Sequence, residues 1–525
     1  MAMSINLFVM LIVFSATTFS TVLSKKSSTD INWWCKKTPH PEPCNYFMGH
    51  SRHRFAPKHR SDFRKMAVQV AIDRALNAQR HALQQGRNLD NKCQKAVFSD
   101  CLKLYDNTIT QLNRTLQGLG GTKRSCTDFD AQTWLSTALT NIETCRAGSL
   151  ELNVSDTIVS TMSNNVSELI SNVLAINGVY LDEQSKNHEY GFPSWVSKQG
   201  RKLLQSSSVK ANLVVAKDGS GNYRTVQSAI NAAARRRSMT RFIIHVKRGV
   251  YRENIEVANN NNNIILVGDG MRNTIITGSR SVGGGFTTYS SATAGIDGLH
   301  FMARDITFSN TAGPQKGQAV ALRSASDLSV FYRCAFQGYQ DTLMVHSQRQ
   351  FYRECYIYGT VDFIFGNAAV VLQNCLIYVR RPLKGQVSVI TAQGRNDPYQ
   401  NTGISIHNSQ VRAAPDLKPV TRAFRTYLGR PWMEYSRTVF LQTYLDSLVS
   451  PVGWLAWNRS KFALSTLYYG EYKNFGPASS TKYRVKWAGF HAITSPNVAS
   501  RFTVGSLIAG TSWLPATGVP FASGL

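Results

Sequence analysis

Phe331-Tyr-Arg-Cys334 is followed by Phe351-Tyr-Arg-Glu-Cys355 and then by Leu372-Gln-Asn-Cys375, so one phrase ending in cysteine returns after 21 and again after 20 residues. A period near 20, built from strand-sized pieces, suits a parallel β-helix in which each coil stacks on the last at about 4.8 Å. The three cysteines then form a stacked ladder, and either a disulfide such as Cys334–Cys355 or buried free thiols would satisfy it. Outward from this stretch, short runs of β-branched and aromatic residues recur: Phe242–Val246, Asn263–Val267, Thr274–Thr277, Asp305–Phe308 and Leu328–Tyr332. Gly and Asn turns separate them, and no helical pattern long enough for a βαβ crossover intervenes, which disfavours a doubly wound sheet.

The same period brings polar residues into phase. Asp341 lies seven residues after Cys334, and Asp362 seven after Cys355, so one coil per repeat makes them neighbours on adjacent coils. Gln318 and Gln340 are 22 residues apart, as are Gln340 and Asp362, which puts both amides on that face. Two carboxylates one coil apart repel, so one pKa rises and the pair divides into an acid and a base or nucleophile. A neighbouring amide can donate to a developing oxyanion. Spacing leaves other uses open: a glycosidase pair, Ca²⁺ ligands of a lyase, or a solvated ladder of aspartates at coil turns.

Other chemistries find little support. There is no Gly-x-Ser-x-Gly elbow and no His-Glu-x-x-His pattern. Asp218-Gly-Ser-Gly221 lacks the Lys-Ser/Thr of a phosphate loop.

The first part of the chain reads differently. Val68, Ile72, Ala75 and Leu76 follow a helical stripe, and Asn91–Gln117, Asp128–Cys145 and Val154–Leu174 look similar. Residues 31–185 are therefore expected to form an all-α four-helix bundle. Cys35 and Cys44 bracket a Pro-rich segment and are expected to pair; Cys101 and Cys145 lie on separate helices and could clip them together. Cys93 and Cys126 are left unassigned.

Residues 1–24 read as a signal peptide, with the apolar core Leu7–Phe14. Sequons at Asn113, Asn153, Asn165 and Asn458 fit export. Residues 186–210 read as a linker containing Arg201-Lys-Leu-Leu204, an exposed basic site suited to proteolysis. The formal net charge is +28, and residues 205–525 carry 35 Lys and Arg against 15 Asp and Glu. A basic exported domain seeks a polyanion. No nucleic-acid-binding motif is present, so an acidic polysaccharide is the better partner.

Several segments together resemble the signature blocks of plant pectin methylesterases. They are Asp305–Gly313, Gln318–Arg323, Gly338-Tyr-Gln-Asp-Thr-Leu343, Gly359–Ala368, Thr391–Arg395 and Tyr427-Leu-Gly-Arg-Pro-Trp432. Residues 31–185 resemble the inhibitor-type helical region that precedes many of these enzymes, through the two N-terminal cysteines, Asp100–Tyr105 and Thr133–Thr140. The resemblance implies a catalytic, all-β right-handed parallel β-helix over 211–525. It implies an enzyme of the cell wall that hydrolyses the C6 methyl esters of homogalacturonan without metal or cofactor. A monomer is expected, with no membrane attachment once the signal is removed. A pectinesterase inhibitor would be its partner, in trans or as its own helical region.

The implied roles are specific. Asp362 is the nucleophile, Asp341 the acid and then the base, and Gln340 and Gln318 the oxyanion donors. Arg430 keeps Asp362 ionised, Trp432 is a sugar platform, and Thr288 contacts substrate. Gly317, Met344 and Asn396 depart from the residues common in the family, which implies altered subsite preference at most.

Overall fold

The computed structural model describes residues 30–525, except 54, 87–88, 90, 121–124, 155–164, 185–209 and 237–239. The signal-like residues 1–24 and the motif Arg201–Leu204 lie outside the described residues.

From Leu213 onward the chain winds in coils, the central ones each contributing one short strand to each of three sheets, and every strand pair is parallel. The first sheet has eleven strands, the second eight and the third seven among the described residues. One coil runs Ser329–Tyr332, Ala335–Gln337, Leu343–Val345, and the next runs Arg349–Arg353, Tyr356–Gly359, Ile364–Gly366. The register sets Leu322 against Leu343, Leu343 against Ile364 and Ile364 against Thr391. These inward side chains are fully buried columns, and each fully buried aliphatic contributes roughly 1.5–3 kcal/mol. Phe308 stacks on Phe336, and Phe331 on Tyr352 at 4.7 Å, continuing the columns.

The corner between the first and second sheets is made by a single residue in the left-handed conformation. Asp305, Arg333, Glu354, Asn374, Asn408 and Gln442 occupy it in successive coils. The next residue then points inward, and this places Cys334, Cys355 and Cys375 in the expected ladder. All three are buried free thiols, so no disulfide forms there. The corner also explains why the strand expected at Asp305–Phe308 starts at Thr307. A nine-residue helix, Val226–Ala234, packs against the first coils. The sequence reading missed it, although Thr225 caps it and Val226, Ala229, Ile230 and Ala233 form its buried stripe.

The helical region comprises α1 (Ile31–Cys35), α2 (Pro41–Gly49), α3 (Arg60–Gln85), α4 (Lys92–Leu119), α5 (Asp128–Glu151) and α6 (Val166–Gln184). Helices α3 to α6 form the bundle, Cys35–Cys44 ties α1 to α2, and Cys101–Cys145 ties α4 to α5. Cys93 carries a free thiol, and Cys126 is buried. The last helix was expected at Val154–Leu174. The described helix follows Asn165, which is in the left-handed region at φ 61°, and runs Val166–Gln184, while residues 155–164 of the expected span lie outside the described residues. Among the described residues no helix is long and apolar enough to cross a membrane.

Helix α5 has no amphipathic stripe because it is buried on two sides. Leu135, Ala138, Leu139 and Ile142 belong to the bundle core. Thr133, Ser136, Thr140 and Thr144 meet the β-helix through Asn401, Asn367 and His346. The bundle thus lies over the third sheet, and Met344, Phe365 and Ala392 of that sheet, with Val320 just before its strand Leu322–Ser324, join its apolar core.

Candidate active site

The coil corner between the second and third sheets carries the two aspartates. Asp341 N donates to the Val361 carbonyl at 3.0 Å and Leu343 N to the Phe363 carbonyl at 2.9 Å, so Asp341 and Asp362 sit at equivalent points of adjacent coils. Both are in the left-handed region, at φ 61° and 50°. A short polar side chain tolerates that conformation, which aims both carboxyls into the cleft. The coil is 21 residues long here, so it is Ala319 rather than Gln318 that meets Gln340: the Ala319 N–H donates to the Gln340 carbonyl at 3.2 Å. Gln318 lies one position earlier and still reaches the same cavity.

That cavity has a volume of about 870 Å³ and is lined by all seven residues singled out from the sequence: Thr288, Gln318, Gln340, Asp341, Asp362, Arg430 and Trp432. The Arg430 guanidinium grips Asp362 in a fork, with Nε at 2.8 and 3.1 Å from the two carboxyl oxygens and Nη2 at 2.5 Å. Its other face covers the Trp457 ring at 4.4 Å. Gly429 precedes it because a side chain there would run into Thr391 Oγ1 and Trp454. Trp432 packs edge-on to Phe365 and over Gly394, where a Cβ would overlap the indole.

Burial pushes both carboxyls above the usual carboxylate range, with Asp362 only 6% and Asp341 only 8% exposed. The two differ in their neighbours. Arg430 binds Asp362 directly and pulls it back down. Asp341 is pushed well up, first by burial and then by the charges of Asp362 and Glu151, with only a distant opposing pull from Arg430. The surroundings thus favour the protonated form at Asp341 more than at Asp362.

The roof of the cavity belongs to α5. Glu143, Arg146 and Glu151 line it. The Glu151 carboxylate accepts from the Thr288 backbone N–H at 2.7 Å and from the Thr288 hydroxyl. Sequence reading missed Glu151, Trp457 and Tyr289. No motif marks them, and they reach the cleft only through docking of distant segments. No group of His, Cys, Asp or Glu suited to a metal ion occurs among the described residues.

The family model for pectinesterases matches residues 212–511. The chain belongs to the pectinesterase family. A second model, that of plant invertase and pectin methylesterase inhibitors, matches residues 29–176. The chain is 62% identical over 514 residues to a probable pectinesterase/pectinesterase inhibitor of Arabidopsis thaliana, covering 96% of this chain and 95% of the relative. It is 55% identical to pectinesterase 2 of Citrus sinensis over the full length of both. Among solved structures, a pectin methylesterase from carrot is 57% identical, with a TM-score of 0.60, covering 61% of this chain and all of the carrot chain. The pectinesterase half is thus a parallel β-helix carrying a carboxylic ester hydrolase, and the preceding bundle is an inhibitor-type domain.

Proposed function

We propose that this pectinesterase works through Asp362 as nucleophile and Asp341 as proton carrier, on methyl esters of homogalacturonan. The observation that carries the assignment is the asymmetry of the pair: one carboxylate held by a guanidinium fork, its neighbour pushed toward the protonated form. The Asp362 carboxylate attacks the C6 carbonyl carbon, and the Gln340 and Gln318 amides donate to the oxyanion. As the tetrahedral species collapses, Asp341 gives its proton to the departing methoxy oxygen and methanol leaves. An anhydride then joins Asp362 to the uronate. Asp341, now the anion, takes a proton from water, and the hydroxide cleaves the anhydride, restoring both aspartates and leaving a free carboxylate on the polymer. Trp432 offers the sugar a ring face. Asp362→Asn is expected to abolish methanol release from methylated pectin with the fold intact; near-normal release from that variant would overturn the mechanism.

The helical region 31–185 acts as a pro-region that silences the enzyme in cis. Supporting this reading, α5 roofs the cleft and the Glu151 carboxylate occupies Thr288, the expected substrate contact. Further bonds hold the bundle down: Lys103 to Asp297 at 2.9 Å, Asp130 to Arg349 at 2.7 Å, and Ser171 to Asp397 at 2.6 Å. Cleavage within linker 186–210, at Arg201-Lys-Leu-Leu204, would free the β-helix 211–525 in the cell wall. The test is methanol release before and after that cleavage. Equal rates would remove the inhibitory role, and inhibition of a second pectinesterase by the freed bundle would extend it to trans.

A further inference from the structure

The stacked coils have three outer faces, and two are covered. Val267, Val330, Phe351 and Val371 of the first sheet lie under the C-terminal segment through Leu507, Trp513 and Leu514. The third sheet lies under the helical bundle. On the second sheet, strand alternation turns Phe336, Ile357, Ile377 and Val411 inward, where they are fully buried. It turns Tyr356, Tyr358, Leu376 and Tyr378 outward, half-exposed, with Arg412 exposed beside them. Among the described residues, neither covering cluster reaches this face.

The register arranges these side chains in two ranks along the helix axis. One rank is Tyr356, Leu376, Gln410 and Tyr444, extended by Phe475, which is 54% exposed. The other is Gln337, Tyr358, Tyr378 and Arg412. Tyr358 and Tyr378 stack at 4.9 Å, Tyr444 meets Phe475 at 5.6 Å, and the Arg412 guanidinium sits 4.7 Å over Tyr444. Arg272 and Arg380 both act on the Tyr358 phenol. Beside the ranks runs a groove of about 570 Å³, in which Asn374, Asn408 and Gln410 offer amides next to Tyr356 and Leu376. Glu354, the single carboxylate of its lining, is paired with Arg353 at 3.2 Å.

Ring faces and amides repeating at about 4.8 Å, with the exposed Arg412 among them, match a polymer whose repeat is one pyranose bearing one carboxylate. The rings stack on sugar faces and the cations meet the acid groups. The excess of 35 basic over 15 acidic residues in 205–525 supplies the complementary charge. We propose that the outer face of the second sheet is a second, non-catalytic binding surface for de-esterified galacturonan, the polyanionic product of the reaction. It holds the enzyme on stretches already demethylated while the cleft at the neighbouring corner continues to work. The identity of the polymer rests on the pectinesterase reading. The face is open in the unprocessed chain too, because the bundle lies on a different sheet.

The unprocessed full chain tests this cleanly, since its cleft is roofed. Affinity electrophoresis through gels containing polygalacturonate should retard it strongly, and more weakly as salt rises. Highly methylated pectin should retard it less. Tyr378→Ser with Arg412→Gln should weaken retardation by polygalacturonate about ten-fold. The single exposed change Arg412→Glu, which leaves the core untouched, should weaken it several-fold. Processed enzyme carrying Arg412→Glu should release methanol from a short soluble methylated oligogalacturonide at the parent rate, but act less efficiently on polymer. Retardation unchanged in both variants overturns the proposal. So does equal retardation by a DNA oligonucleotide, which would reveal a general polyanion patch. Absence of methanol release from the processed parent would instead overturn the enzymatic reading, and it is scored separately from the gel.

Discussion

Replacing Arg430 by Gln removes the guanidinium that, among the described residues, grips a carboxylate 94% shielded from solvent, because Asp362 is 6% exposed. Leaving one partner of a buried pair uncompensated costs about 3–5 kcal/mol. One pKa unit corresponds to about 1.36 kcal/mol, so the full loss would raise Asp362 by about 2–4 units. Glutamine keeps a neutral amide that can still donate to the carboxylate, which puts the expected shift near the lower end, about 2 units. The sign follows from the chemistry: Asp362 must be ionised to attack, so a higher pKa moves the acidic limb of kcat/KM to higher pH. At the parent optimum kcat/KM should fall about 100-fold, with partial recovery as pH rises. Recovery is capped where Asp341, pushed up by burial and by Asp362, begins to lose the proton it must donate. The assay is methanol release by the processed enzyme from about pH 4 to about pH 9. A uniform loss at every pH, with the acidic limb unmoved, would refute the reasoning. Arg430 would then position substrate or loop rather than set the charge of Asp362.

Three further outcomes are expected. Gln340→Ala should lower kcat by about 10²–10³-fold with little change in KM, if its amide serves only the oxyanion; a pure KM effect would reassign it to binding. The bundle should hold the cleft most tightly in acid. Burial keeps Asp100, Glu143 and Glu151 above the usual carboxylate range in the docked state. Their contribution is therefore complete below their free pKa near 4 and is lost as pH rises through the raised values. Asp130, held down by Arg349, works in the opposite sense, and only in more acid solution. Titrating bundle release by native gel at fixed salt checks this, and tighter docking at neutral than at acid pH would contradict it. Finally, reducing Cys101–Cys145, 44 residues apart, should destabilise the bundle by about 3–4 kcal/mol. Cys334→Ser should not mimic that loss of bundle stability, because Cys334 is a free thiol of the β-helix.

The period of about 20 residues determined the solenoid. The short strand runs and the cysteine ladder advertise themselves locally, because each coil meets only its neighbours, whereas the left-handed corner and the three strands per coil came from the structure. Asp341 and Asp362 were legible for the same reason: equal offsets from Cys334 and Cys355 become spatial adjacency once coils stack. Helix boundaries were less legible: the last described helix runs ten residues past the expected end at Leu174, to Gln184. What spacing alone could not contain was contact between distant segments. Arg430 reaches Asp362 across 68 positions, and Glu151 reaches Thr288 across 137, separations that no period encodes. Which aspartate keeps its proton was decided there, because desolvation and neighbouring charge are properties of the assembled cleft rather than of either residue.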